Sequence, residues 1–160
     1  MLNTQLNKSK EKNHYEKKVS LVAALALFAV LLVGCAGKFD MDKSIEKLKD
    51  KGLTEGVCYI TEEECEHATS LANSEIKFMG GEFTVEIVKS YALIENGDYS
   101  KSCTFITFAT EEQATDFAEL NIKYFAEGEN SNNWRIARDS CVVVMTNLDV
   151  ALDVINLEFK

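Results

Sequence analysis

Hydrophobic residues follow three different rhythms along this chain. From Val19 to Cys35 they run without interruption by any charge, as VSLVAALALFAVLLVGC. Beyond Asp40 they recur at helical spacing in some stretches and alternate in others. Met41, Ile45 and Leu48 mark a first helix capped by Asp40 or Asp42 and ended by Gly52 in a left-handed cap. Leu53 to Ile60 reads as a short strand. Thr61 with Glu64 forms a capping box for a second helix, whose small residues Cys65, Ala68, Thr69 and Ala72 share one face. Gly80-Gly81 breaks it. Phe83, Val85, Ile87, Tyr91 and Leu93 then alternate with polar or small residues, which predicts a strand with one wet face. Lys89 falls on its apolar face and predicts an edge position or a bulge. Asn96-Gly97 predicts a tight hairpin into a strand over Ser102 to Ala109, apolar on both faces and therefore central.

Thr110 with Gln113 is a second capping box. The helix behind it carries Ala114, Phe117, Ala118, Asn121 and Phe125 on one stripe, widened by Leu120 and Tyr124. Gly128 ends that helix, and Glu129 to Asn133 form a polar loop. Trp134 to Val144 reads as one last strand. Asn147 or Asp149 starts a terminal helix with Leu148, Ala151, Leu152 and Ile155 inward. The order α-β-α-β-β-α-β-α predicts an α+β domain. It is a two-layer arrangement: a mainly antiparallel sheet of about four strands with helices on one face. The piece from Ser102 to Val144 would form a right-handed crossover.

The apolar run changes the picture at the N-terminus. Lys8, Lys10, Lys12, Lys17 and Lys18 precede it, opposed only by Glu11 and Glu16. Cationic flanks stay on the cytoplasmic side, so the rest of the chain crosses. The run ends in Leu32-Val33-Gly34-Cys35, which resembles the lipobox of bacterial prolipoproteins. That resemblance implies cleavage before Cys35 and a diacylglyceryl thioether on its sulfur. It divides the chain into a signal peptide over 1–34, a lipidated tether over 35–39 and one globular domain over 40–160. Two acyl chains at ~0.8 kcal/mol per buried CH₂ hold on the order of 20 kcal/mol, effectively a permanent anchor. The alternative is an uncleaved membrane helix, since the 19 uncharged residues between Lys18 and Lys38 approach the ~20 that span a bilayer. Both place the remainder outside the cytoplasm. The stretch KLKDKGLTEGVCYI also looks like the opening of small exported bacterial lipoproteins of unknown role.

Charge narrows the partners. The first 34 residues hold five of the 17 basic and two of the 26 acidic residues, which leaves 12 basic and 24 acidic from Cys35 onward. A body this acidic repels phosphate backbones, so nucleic acid is not an expected partner. Solubility accounts for the acidity, and a basic or cationic partner is the sharper reading. No proline occurs, so turns rest on Gly, Asn, Asp and Ser.

Candidate chemistry is sparse. Apart from Cys35 there are Cys58, Cys65, Cys103 and Cys141. They form either two disulfides, preferably Cys58 with Cys65 and Cys103 with Cys141, or four buried thiols. Cys58, Cys65 and His67 do not follow a zinc spacing. Glu62, Glu63, Glu64 and Glu66 do not follow a calcium loop and suit a helix N-terminus. No metal or cofactor is therefore expected. His67 has no nucleophile beside it, and no catalytic motif occurs, which argues against an enzyme. Trp134, the sole tryptophan, is either a ligand anchor at a loop edge or the first core residue of its strand. The resulting expectation is a membrane-anchored surface lipoprotein acting as a binding or interaction module. An accessory subunit of an envelope assembly is the second reading, an enzyme the third.

Overall fold

A computed structural model describes residues 39–126 and 133–160, all within one compact unit spanning 35–160. The leader over 1–34, Cys35, the tether as far as residue 38, Gly128 and the polar loop as far as residue 132 lie outside the described residues.

Helix α1, Met41–Asp50, starts at Asp40, whose carboxylate accepts the Lys43 N–H at 3.0 Å. It ends in a paired cap around Gly52: the Gly52 N–H reaches Lys49 O and the Leu53 N–H reaches Leu48 O. Strand β1, Thr54–Tyr59, and helix α2, Glu62–Phe78, come next. The capping box at Thr61 and Glu64 is complete, with both reciprocal bonds made. α2 closes with the same kind of cap at Gly80. Gly81 adjoins it, and a methyl group there would stand 2.7 Å from Ile76 Cγ2.

Strand β2, Ile87–Glu95, begins later than the alternation from Phe83 predicts. Residues before it are held by side chains instead of a strand: the Asn73 amide takes both the N–H and C=O of Val85. Lys89 does mark a bulge, because the β2 register slips between Ile87 and Lys89. Asn96 and Gly97 both take positive φ, 53° and 76°, as the hairpin requires. Strand β3, Asp98–Phe108, is the central strand, as its two apolar faces predict. Helix α3, Glu111–Asn121, continues into a π-helical turn over Ile122–Ala126.

The last predicted strand is two. β4, Arg135–Asp139, and β5, Val142–Thr146, pair around a tight turn in which Ser140 takes φ 52°. Helix α4, Asp149–Val154, comes last. The sheet therefore has five strands in the order β1-β2-β3-β5-β4, every neighbouring pair antiparallel. β3 and β4 run parallel but are separated by β5, so the strand–helix–strand unit straddles an inserted strand and does not join neighbours.

The α+β class with a mainly antiparallel sheet stands. The single helical layer does not. Cys103 and Phe105 of β3 pack with α1 and α4 residues such as Leu48 and Ala151. Ile106 and Phe108 of the same strand pack with Ala72 and Ile76 of α2 and Phe117 of α3. Alternate residues of a strand point to opposite faces, so helices cover both faces of the sheet. Two separate apolar cores result, and a strand buried on both sides is their common wall.

Candidate functional site

Trp134 sits immediately before β4 and is partly buried. Its ring lies 6.5 Å from that of Phe125. Phe125 stands edge-on to Tyr124 at 4.9 Å, and Tyr124 stands edge-on to Phe78 at 6.5 Å. Four aromatic rings thus form a continuous array from the end of α2, across the end of α3, to the start of β4. Edge-to-face contacts at these separations are the favoured geometry for aromatic pairs. Phe78 is 81% exposed, which leaves one end of the array open to solvent.

Tyr124 and Phe125 lie in the π-helical turn, whose extra residue shifts the phase of the side chains after it relative to an α-helix, where consecutive residues diverge by about 100°. Here one ring meets α2 and the other meets Trp134. Trp134 is thus neither an isolated loop anchor nor a fully enclosed core residue.

The array lies at one end of the sheet, and the chain enters the domain at the other. The Phe39 N–H donates to Asp139 Oδ2 at 2.6 Å. Asp139 is the last residue of β4 and Trp134 immediately precedes its first. Five residues of strand at about 3.4 Å each put roughly 17 Å between the two ends. Near the Trp134 end, Asn133 and Arg135 line a cavity of about 170 Å³ with Asn147 and Leu148. A cavity of about 320 Å³ beside Phe39 is lined by Lys43, Lys47, Asp40 and Asp139, which balance in charge.

The cysteines do not form the pairs that spacing favoured. Cys58, Cys65 and Cys103 are free thiols, so neither Cys58–Cys65 nor Cys103–Cys141 forms. Cys58 Sγ lies 3.9 Å from Ala92 O, whereas Cys65 Sγ lies 3.1 Å from Val88 O, so the two sulfurs engage different carbonyls of β2. Cys103 pairs with Thr146 at the far end of β5 from Cys141, which is why strand adjacency does not bring those sulfurs together. Cys141 is buried at the turn that leads into β5. Burial pushes the Cys103 thiol up to about 12 and raises that of Cys65, helped there by Glu64. Raised thiols are poor nucleophiles at neutral pH.

The His67 ring is tilted by 57° against that of Tyr59, with ring centres 6.2 Å apart. Of the acidic run, Glu64 spends its carboxylate on the Thr61 and Ile60 N–H groups, which lower its pKa. Among the described residues no three His, Cys, Asp or Glu side chains gather as a metal site. One polar cluster was not visible in the sequence. Lys49 Nζ lies 2.5 Å from Glu55 Oε1 and 5.2 Å from the centre of the Tyr91 ring, while the Tyr91 hydroxyl also donates to Glu55. The Glu55 bond, and then the Tyr91 bond, raise the Lys49 pKa; Lys49 in turn lowers that of Glu55. The cluster is exposed, fastens the end of α1 to β1, and holds no free group aimed at a cavity.

Compared with protein-family models, curated proteins and solved structures, the chain matches none. Among the described residues no helix is long and apolar enough to cross a membrane.

Proposed function

We propose that this chain is an exported lipoprotein, anchored through Cys35, whose domain binds a partner outside the cytoplasm through the array of Phe78, Tyr124, Phe125 and Trp134. The observation that carries the reading is the placement of that array. It stands at the end of β4 opposite the residue through which the chain enters the domain. Only three residues stand between Cys35 and Phe39, a reach of four residue-to-residue steps. An extended chain gains at most about 3.6 Å per residue, so the Phe39 end is tied within roughly 14 Å of the lipid. An aromatic surface at that end would serve as a membrane seat. At the other end it faces away from the attachment and is available to a partner. Large aromatic groups with an exposed edge supply contact area at low entropic cost, which is why binding surfaces use them.

The test uses whole cells. p-Benzoylphenylalanine in place of Phe78 yields a discrete covalent adduct on illumination, while the same group in place of Lys43, at the chain-entering end, yields none. No adduct at position 78, or the same adducts from both positions, would overturn the binding surface. Cys35→Ser abolishes incorporation of labelled lipid into the protein; unchanged labelling would overturn the anchor.

A further inference from the structure

The two edges of the sheet end differently. At the β4 edge the chain closes itself: the Ile136 N–H donates to Lys160 O at 3.0 Å, and the Lys160 N–H donates to Ile136 O at 2.9 Å. At the β1 edge, among the described residues, no backbone group bonds the outer side. Lysine, proline and repeated charge are the usual protection of such an edge. β1 has no lysine or proline, and Glu55 is its single charge. Its register slips between Glu55 and Cys58, so Val57 lies in a bulge, a feature that re-aims the side chain it carries. Val57 and, just after the strand, Ile60 are exposed. Leu71 of α2 joins them. The ring contact between His67 and Tyr59 puts the His67 flank of α2 over this edge, and Leu71 lies one turn along the same flank. α2 doubles back over the sheet, from Tyr59 near its start to the ring of Tyr124 at its end. Two strand residues back from Tyr59, about 7 Å, is Val57. Four helix residues on from His67, about 6 Å, is Leu71. Val57 and Leu71, 48% and 46% exposed, therefore stand at one level on the open edge.

We infer that this edge is where two copies of the chain meet, β1 against β1 in antiparallel pairing about Val57, so that two five-stranded sheets become one. Two identical antiparallel strands have a two-fold axis at their centre, and a patch on such an axis must be self-complementary. With Val57 opposite Val57, Thr54 faces Ile60 and Glu55 faces Tyr59, so no like charges meet. The same axis, continued into the helical layer, sets Leu71 opposite Leu71 and His67 opposite Glu75, since 67 and 75 lie four residues to either side of 71. Glu75 makes no ion pair among the described residues, and the imidazole of the other copy supplies one. Strand and helix thus agree on one axis, a coincidence that an unrelated extended peptide does not require. The axis is perpendicular to the sheet, so both copies turn the same face the same way. Phe39 packs on the α1 and α4 side, its ring stacked on Phe105 at 6.2 Å. Phe78 and Tyr124 belong to the opposite layer, with α2 and α3. Two copies anchored upstream of Phe39 therefore reach one membrane together and hold both arrays away from it. The pairing goes beyond the reading of the array and does not rest on it.

Cross-linking of the full chain in its own membranes tests the pairing. Cys58→Ser serves as the background, since it removes the half-buried free thiol. In that background Leu71→Cys, treated with a short bis-maleimide, gives a product of twice the mass of the chain. Glu112→Cys, exposed on α3, gives none. Val57→Lys sets two ammonium groups against each other at the axis and cuts the Leu71→Cys product about tenfold or more. His67→Glu opposes carboxylate to carboxylate and cuts it as well. Glu75→Lys added to His67→Glu restores it. Within one chain positions 67 and 75 are about 12 Å apart along α2, so the rescue reports a contact between copies and not the folding of either. No product of double mass from Leu71→Cys, an equal yield from Glu112→Cys, an undiminished yield with Val57→Lys, or no rescue by Glu75→Lys would each overturn the inference. The adduct at position 78 in cells is read independently of these yields, so the aromatic surface and the pairing of copies stand or fall separately.

Discussion

Thr146 is fully buried in β5, and its hydroxyl works in two directions. It donates to Ser102 O at 3.1 Å and accepts the Leu148 N–H at 3.1 Å, so β3 and the start of α4 are bound through one side chain. Thr146→Val keeps the shape and orphans both partners, which costs about 1–3 kcal/mol; chemical denaturation measures it. Cys103, also fully buried, makes a second residue-scale prediction. Its folded pKa is raised, so its contribution is intact below the ordinary thiol value of 9 and is lost as pH rises toward 12. Through that window the unfolded chain ionises first, and the folded-to-unfolded ratio falls by up to tenfold per pH unit. Cys103→Ala removes this alkaline loss, visible as a flatter dependence of the denaturation midpoint on pH. Alkylation obeys the same logic. Under native conditions iodoacetamide modifies the half-buried Cys58 before Cys65 and Cys103, and after denaturation without reductant all three react. Caps were legible at this scale because they are local. Thr61 and Thr110 both accept the N–H three residues on, as their spacing predicts. The second half of the Thr110 box was not legible. Gln113 gives its side-chain oxygen to the N–H of Glu86, a residue 27 positions away in the chain. Cysteine pairing failed for the same reason, since it depends on register and not on nearness in sequence.

Elements were legible where periodicity is long and illegible where geometry departs from it. α2, α3 and the Asn96-Gly97 hairpin stand as their patterns predict. The splitting of 134–144 into β4 and β5 was hidden because Ser140 and Cys141, and not glycine, make the turn. Val142 to Val144 then reads as a continuation of the strand before it. The π turn at the end of α3 was hidden more deeply, because Phe125 fits the apolar stripe of an ordinary helix. Its importance is open to a direct trial. Deleting the exposed Lys123 removes one residue of the π turn, restores α-helical phase and rotates the following rings by about 100°. Far-UV circular dichroism stays unchanged while Trp134 emission shifts to the red, as its contact with Phe125 is lost.

At the scale of the whole domain, one choice decides the rest. A sheet buried on both faces divides the helices into a near-neutral layer with α1 and α4 and an acidic layer with α2 and α3. The alternating strand over Phe83 to Leu93 pointed to one wet face, and so to one helical layer. Tertiary packing overrode it: Ile87 belongs to one core and Leu93 to the other, the bulge at Lys89 having changed the phase between them. With that layering, the array falls at the end of the sheet remote from Phe39, and the anchor proposed just upstream of Phe39 would present it outward. The whole account therefore depends on what becomes of Cys35. The most direct measurement is mass spectrometry of the N-terminal peptide of the native protein taken from its own membranes. The account predicts a peptide that begins at Cys35 and carries a diacylglyceryl thioether on its sulfur. A peptide that still carries residues 1–34, or a Cys35 whose sulfur is a bare thiol or part of a disulfide, would contradict it.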